Sequence, residues 1–171
     1  MCSLWFLLFN DKKMSFIDIT KEVFTKFRNK KVKPEEIELK NKVPNALKKS
    51  LKLRCVNAGD DEGIMAELYS LEWPQFSLES YNISFTASPK HADGIFVVGA
   101  VTKNIQKALK DAWEVVPEPK VLIACGDKAI NGDDRFENCK SVKEVLWKVD
   151  LEIPWNPSSK DIFNYLVNFI K

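Results

Sequence analysis

The sequence has almost no histidine, no close pair of cysteines, no long apolar run and no excess of charge of either sign. Each lack removes a class of function. With His91 as the one histidine, no serine-nucleophile motif and no phosphate-cradling glycine loop, catalysis has little support. Cys2, Cys55, Cys125 and Cys139 contain no Cys-x-x-Cys, which argues against a zinc site and a disulfide framework and favours a reducing, cytoplasmic setting. A net charge of +2, with basic runs no longer than Lys30-Lys31 and Lys48-Lys49, leaves no footprint for nucleic acid; solvated faces explain those runs. The apolar run Leu4 to Phe9 is far short of the ~20 residues that a membrane-spanning helix needs, and it lacks the basic flank of a signal peptide. Residues 1 to 13 are either an upstream extension of the reading frame ahead of Met14 or a hydrophobic tail that docks on a partner or on lipid.

What remains is a length of 171 residues, enough for one domain with a core of its own. From Ser15, Phe16, Ile17, Val23, Phe24 and Phe27 recur near helical spacing, so an amphipathic helix is expected, its apolar side facing the core, a neighbouring subunit or a membrane. Lys30 to Lys42 is charged and reads as a linker with one helical turn, giving an N-terminal extension over residues 1–43 and an α/β domain over 44–171. Leu51 to Val56 alternates as a first strand and ends at the turn signal Asn57-Ala58-Gly59. Asp60, Asp61 and Glu62 open a helix through Leu71, and Tyr81 to Phe85 makes a second strand. Ile95 to Val98 and Val121 to Ala124 are short buried strands around a helix from Lys103 to Val116. The segment Val145 to Ile153 contains another strand, and Ser158 or Ser159 caps a final amphipathic helix. Strands alternating with helices predict a flavodoxin-like open parallel sheet with helices on both faces, and such sheets place their sites at the carboxyl ends of strands.

The stretch Thr86 to Thr102, a Ser-Pro loop running into the central strand and out through Gly99, has the look of a signature. Leu78-Glu79, Ala87-Ser88-Pro89-Lys90-His91-Ala92-Asp93, Val98-Gly99-Ala100-Val101-Thr102, Pro117-Glu118-Pro119-Lys120 and Gly126-Asp127 with Ala129 and Gly132 occur in a recognisable order. Through them the chain, from about Leu47 onward, resembles the small subunit of membrane-bound NiFe hydrogenases and the matching cluster-bearing subunit of complex I, the proton-pumping NADH:quinone oxidoreductase. The resemblance implies a four-iron four-sulfur cluster held by cysteines of three loops at the carboxyl ends of strands. This chain departs at every ligand position: Val56 and Gly59, or a deletion, in the first loop, Lys128 in the second and Asn156 in the third. An ammonium cannot coordinate while protonated and a carboxamide is a poor ligand for iron, so the cluster is expected to be lost.

The resemblance further implies a docking surface for a hydrogenase- or complex I-type large subunit and for membrane-arm subunits. Ser88, Pro89, Lys90, His91 and Asp93, together with Glu62, are its candidate residues, and the Ser88 to Asp93 loop is expected beside the vacated cluster positions. His91 is read there as a packing and interface residue rather than a general base. Lys128 is either an ion-pair partner for Asp60, Asp61 and Glu62 across the sheet edge or a solvated charge. The expected function is a cluster-less, non-catalytic docking subunit, peripheral on the cytoplasmic face of a membrane complex. Two alternatives stay open: a working electron-transfer subunit with unconventional ligands such as Cys125, and a flavodoxin-like module that takes a small anion or nucleotide at Lys128.

Overall fold

Apolar side chains at alternate positions turn Leu51–Asn57 into strand β1, with Leu51 and Leu53 buried and Lys52 exposed. The next two long strands are apolar at every position: β3, Gly94–Val98, and β5, Val121–Cys125, are buried from end to end. Such continuous burial requires cover on both faces, the mark of central strands in a parallel sheet. The computed structural model describes residues 31–39, 41–59, 61–136 and 138–171, together with Thr20 and Thr25. The chain divides into two compact units, Met1–Lys31 and Val32–Lys171. The amphipathic helix expected from Ser15 lies outside the described residues except for Thr20 and Thr25, both of which are helical.

In the second unit the elements follow as β1, helix α1 (Glu62–Ser70), β2 (Ile83–Phe85), β3, β4 (Val101–Thr102), α2 (Lys103–Val115), β5, α3 (Asp127–Asn131), β6 (Cys139–Lys140), α4 (Val142–Leu146), β7 (Leu151–Ile153) and α5 (Ser159–Ile170). A five-stranded parallel sheet has the order β2-β1-β3-β5-β7, and β4 and β6 form a separate antiparallel pair. Register follows from the pleat: Leu53, Phe96, Ile123 and Ile153 face α1 and α5, while Ile95, Val97, Leu122 and Ala124 face α2, α3 and α4. The expected open sheet with helices on both faces is what forms.

Local chemistry explains the helix ends. Ser158 caps α5 in a reciprocal box, its hydroxyl accepting from Asp161 N and its own N–H donating to Asp161 Oδ2 at 3.1 Å. At the far end of α2, Lys120 lies with Nζ 4.6 Å from the centre of the Trp113 ring and donates to the carbonyls of Trp113 and Val116 at 2.9 and 3.3 Å. A cation on the last carbonyls of a helix opposes the negative end of its dipole.

The stretch Val32 to Leu39 has no helical turn; the one single-turn helix near it is Asn45–Leu47. It lies instead as an extended strap on α5. Val32 N donates to Gln75 O at 2.8 Å and Glu35 N to Asn164 Oδ1 at 3.0 Å. Asn168 Nδ2 donates to Glu35 O at 2.6 Å and to Asn164 O at 2.8 Å, and Lys160 Nζ reaches Glu35 Oε1 at 2.5 Å. Lys160, Asn164 and Asn168 stand four residues apart on one helix face, so a single stripe holds one residue of the strap. Asn164 and Asn168 are both buried, and buried amides persist only when paired. Replacing Asn168 by alanine strands the Glu35 carbonyl: urea titration is expected to show a loss of about 1–3 kcal/mol, with faster proteolysis in the strap.

Candidate functional site at the carboxyl edge of the sheet

The carboxyl ends of β1, β3, β5 and β7 carry the loops that sequence analysis singled out, and glycines decide how closely those loops meet. Ala58 N continues the ladder to Val98 O at 2.9 Å, and Thr102 N returns to Ala58 O at 3.2 Å. Between those bonds Gly59 lies against the turn after β3: a Cβ there would stand 2.2 Å from Ala100 O. Gly99 has φ +78°, and a Cβ on it would be 2.6 Å from Gly59 O. Two backbones are in contact here, which only glycine permits.

A second meeting point is Gly126, at φ +91°. Its N–H donates to Ile153 O at 2.8 Å, and a Cβ on it would lie 2.4 Å from Ile64 Cδ1, 3.6 Å from Asp61 Oδ2 and 3.7 Å from Trp155 O. Asp127 and Trp155 then bond reciprocally, Asp127 N to Trp155 O at 3.0 Å and Trp155 N to Asp127 Oδ1 at 2.8 Å. Beyond them Ser159 donates through both its N–H and its hydroxyl to Glu67 Oε2, and Ser70 Oγ donates to Ser159 Oγ at 2.6 Å. Those bonds hold the Glu67 carboxyl below its usual range, although burial and the nearby Asp161 act the other way.

The expected site residues are divided by this frame. Gly59 and Lys128 line one cavity of about 650 Å³, together with Thr102, Lys103, Asp133, Arg135 and Cys139. Val56 is paired with Val97 in the sheet and packs on the α2 side, and Asn156 is exposed after β7; neither is part of that lining. Lys128 sits in the first turn of α3, where its charge acts on Asp133. The Asp133 carboxyl falls to about 2, chiefly through its hydrogen bond with Arg135, with Lys128 adding to the effect. Of the acidic loop invoked as a partner for Lys128, Asp60 lies outside the described residues.

The loop from Ser88 to Asp93 is at the opposite edge, which corrects the expectation that it borders the vacated positions. It precedes β3 instead of following it. Asp93 N donates to Lys52 O at 2.7 Å and Asp93 Oδ2 accepts from Lys52 N at 2.8 Å, at the amino end of β1. Val121 N at the start of β5 donates to Asp93 O at 3.1 Å, so Asp93 ties three strands together. Lys90 and His91 are exposed, and Ser88 and Pro89 are half-buried. A strand the length of β3 separates this loop from the carboxyl edge by ~16 Å. Only the later part of the same stretch, Gly99 to Thr102, reaches the edge with Gly59. Glu62, the remaining docking candidate, is exposed in the first turn of α1 at that edge.

The donor set that the described residues present at this edge does not fit a four-iron cluster. Among the described residues no three His, Cys, Asp or Glu side chains are grouped to hold a metal ion. Cys125 is fully buried on the α1 and α5 side, and Cys55 packs against the same core with its Sγ 3.7 Å from Met65 Sδ. Cys139 lies in β6 at the cavity on the other side. Burial pushes the Cys125 thiol strongly upward, with Cys55 and Asp61 adding to it, and raises Cys55 to about 11 against the opposing pull of Arg54. Both are neutral thiols at ordinary pH, which slows their reaction as nucleophiles. Sequence reasoning missed Trp155, Asp127 and Arg135. Asp127 belonged to the Gly126-Asp127 motif but was given no role, Arg135 carried no motif, and an indole is an improbable occupant of the φ +66° that Trp155 adopts.

An open parallel sheet with crossing helices and loops locked together at its carboxyl edge defines an α/β subunit built around that edge. The chain belongs to the family described as NADH ubiquinone oxidoreductase, 20 Kd subunit, whose model matches residues 61–169. It is 29% identical over 151 residues to a subunit of the F(420)H(2) dehydrogenase of Methanosarcina mazei, covering 78% of this chain and 82% of that protein. It is 31% identical over 104 residues to a membrane-bound hydrogenase subunit of Pyrococcus furiosus, covering 60% of this chain and 62% of that one. Among solved structures, a chain of the membrane-bound sulfane sulfur reductase, an archaeal respiratory membrane complex, superposes with a TM-score of 0.57 at 26% identity, covering 73% of this chain and 72% of that one. The resemblance read from the motifs is thus upheld at the level of the family.

Neutral, covered thiols predict slow chemistry. At about pH 8 Cys55 and Cys125 should resist an aromatic disulfide reagent in the folded protein and titrate on unfolding; rapid modification of Cys125 in the native state would contradict the packing described.

Proposed function

We propose that this chain is a non-catalytic docking subunit of a complex I- or hydrogenase-type membrane complex and carries no iron-sulfur cluster. The observation that carries the reading is the sequence of the carboxyl edge, where Val56 and Gly59, or a deletion, together with Lys128 and Asn156 stand against the positions at which the family resemblance implies thiolates. The described cysteines do not replace them, since Cys125 and Cys55 are turned into the core and Cys139 lies across the sheet. An architecture that persists with its redox ligands gone retains its surfaces, so the natural partners are a large-subunit-like protein and, through it, membrane-arm subunits. The chain would be held peripherally, on the cytoplasmic face, through the complex; no described helix is long and apolar enough to cross a membrane. Reconstitution with iron and sulfide under anaerobic conditions, read by absorbance and electron paramagnetic resonance, is expected to leave the protein colourless. A stoichiometric four-iron signal would sink the proposal.

The cavity favours a second reading. Among the described residues its lining brings Lys103, Lys128 and Arg135 together with Asp133, which is ion-paired to Arg135 at 2.6 Å, a set that suits a small anion or a nucleotide phosphate. Calorimetric titration with inorganic phosphate, flavin mononucleotide and adenosine nucleotides checks it: saturable heat abolished by Lys128→Ala supports this reading, and silence from every ligand removes it.

A further inference from the structure

Trp155 is a conspicuous misfit by the ordinary rules of surface chemistry. It is 76% exposed, and its backbone is in the left-handed region at φ +66°. Glycine or asparagine would occupy that conformation with less strain, and water would solvate a polar side chain better than an indole. Yet the residue is held firmly, because Asp127 bonds its N–H and its carbonyl together. Trp147 shares the exposure and the left-handed backbone, at φ +62°; what sets Trp155 apart is a main chain tied on both sides by Asp127 at the carboxyl edge, which leaves less backbone freedom to lose on binding.

The surroundings say what kind of contact. Asp61 Oδ2 and Trp155 O both lie within 4 Å of the space above Gly126. Asp127, bonded to the Trp155 backbone, is exposed, Glu62 is exposed in the first turn of α1, and Asp161 sits in the capping box that begins three residues further on. Lys160, the cation nearest to Trp155 in sequence, is engaged with Glu35. The indole therefore rises from an acidic rim. Such a rim repels anionic lipid headgroups and nucleic acid phosphates. It attracts a protein surface of opposite sign.

We infer that Trp155 is the anchor of a protein-docking surface at the carboxyl edge, fitting a partner that offers an apolar pocket rimmed by lysine and arginine. The inference rests on the docking reading above but assigns the contact to a residue that reading does not use. Buried tryptophans surrounded by charged rims dominate the energetics of protein interfaces, and a single anchor of this type decides whether a complex survives isolation.

The test uses the full chain, tagged and recovered from its host within its native assembly, with the isolated chain as reference. Under hydroxyl radicals Trp155 should oxidise about tenfold more slowly in the assembly, as a fully covered anchor requires. Trp147, 85% exposed and placed before β7, is the internal control and should keep its reactivity. Trp155→Gly relieves the backbone, so its melting temperature should equal or exceed the parent's while recovery of the partner falls about tenfold. Asp61→Asn combined with Glu62→Gln should blunt the weakening of the assembly by salt. A Trp155 equally reactive in the assembly, or a Trp155→Gly chain that retains its partner, overturns the anchor. An assembly indifferent to salt overturns the basic-rimmed partner. A chain that leaves its host alone and monomeric overturns the docking reading itself, an outcome distinct from the other two.

Discussion

The contact between two stretches of bare backbone, Gly59 against Gly99 and Ala100, sets the geometry of the whole carboxyl edge. Because no side chain intervenes, the loop after β1 lies directly on the turn after β3, and Thr102 can close a bond to Ala58 just before α2 begins. The start of α2 is fixed by that closure, and with it the wall that Thr102 and Lys103 give to the cavity. Gly126 repeats the device one strand over, letting Ile64 of α1 and the loop after β7 close on a backbone with no Cβ. Both contacts are intolerant of alanine, the first because the atoms met are backbone oxygens and the second because Gly126 holds φ +91°. The edge is consequently a rigid platform, whatever binds to it.

Much of this was legible in the residues. The uninterrupted apolar runs of β3 and β5 announce strands covered on both faces, and the spacing of Ile105, Ala108, Leu109 and Ala112 announces α2 within a residue of its end. The capping signal before α5 resolved to Ser158. What escaped was short or relational. Helices α3 and α4 have five residues each, less than two turns, so no periodicity could mark them. The β4–β6 pair has two residues per strand, joined across a long separation in sequence. The edge to which Ser88–Asp93 belongs follows from its place before β3, and motif order alone concealed it. Nothing in the composition signals a tryptophan in a left-handed turn.

The family relation and the chemistry of the edge pull in different directions. Proteins named for F(420)H(2) dehydrogenase and membrane-bound hydrogenase are 29% and 31% identical to this chain over the matched stretches. Here the same edge presents a lysine in a cavity, an exposed carboxamide, an indole, and thiols whose protons are held in place by burial. The packing that supports the edge is nevertheless fully developed: α1 and α5 are joined by Glu67, Ser70 and Ser159, and the core beneath has no orphaned polar side-chain atom among the described residues. A scaffold held this firmly preserves surface geometry independently of electron transfer.

The strap on α5 carries an implication for biosynthesis. Glu35 meets Asn164 and Asn168 across separations of 129 and 133 residues, so the strap has no complete seat until α5 has emerged from the ribosome. Until then the segment lacks the α5 half of its seat, the bond of Val32 to Gln75 being the part available earlier, and its charged residues Lys33, Glu35, Glu36 and Glu38 favour solvent. Seating the strap is then among the latest steps of folding, a clasp fastened over a sheet already formed. The charged, aperiodic character that makes this segment read as a tether is what lets it wait without aggregating.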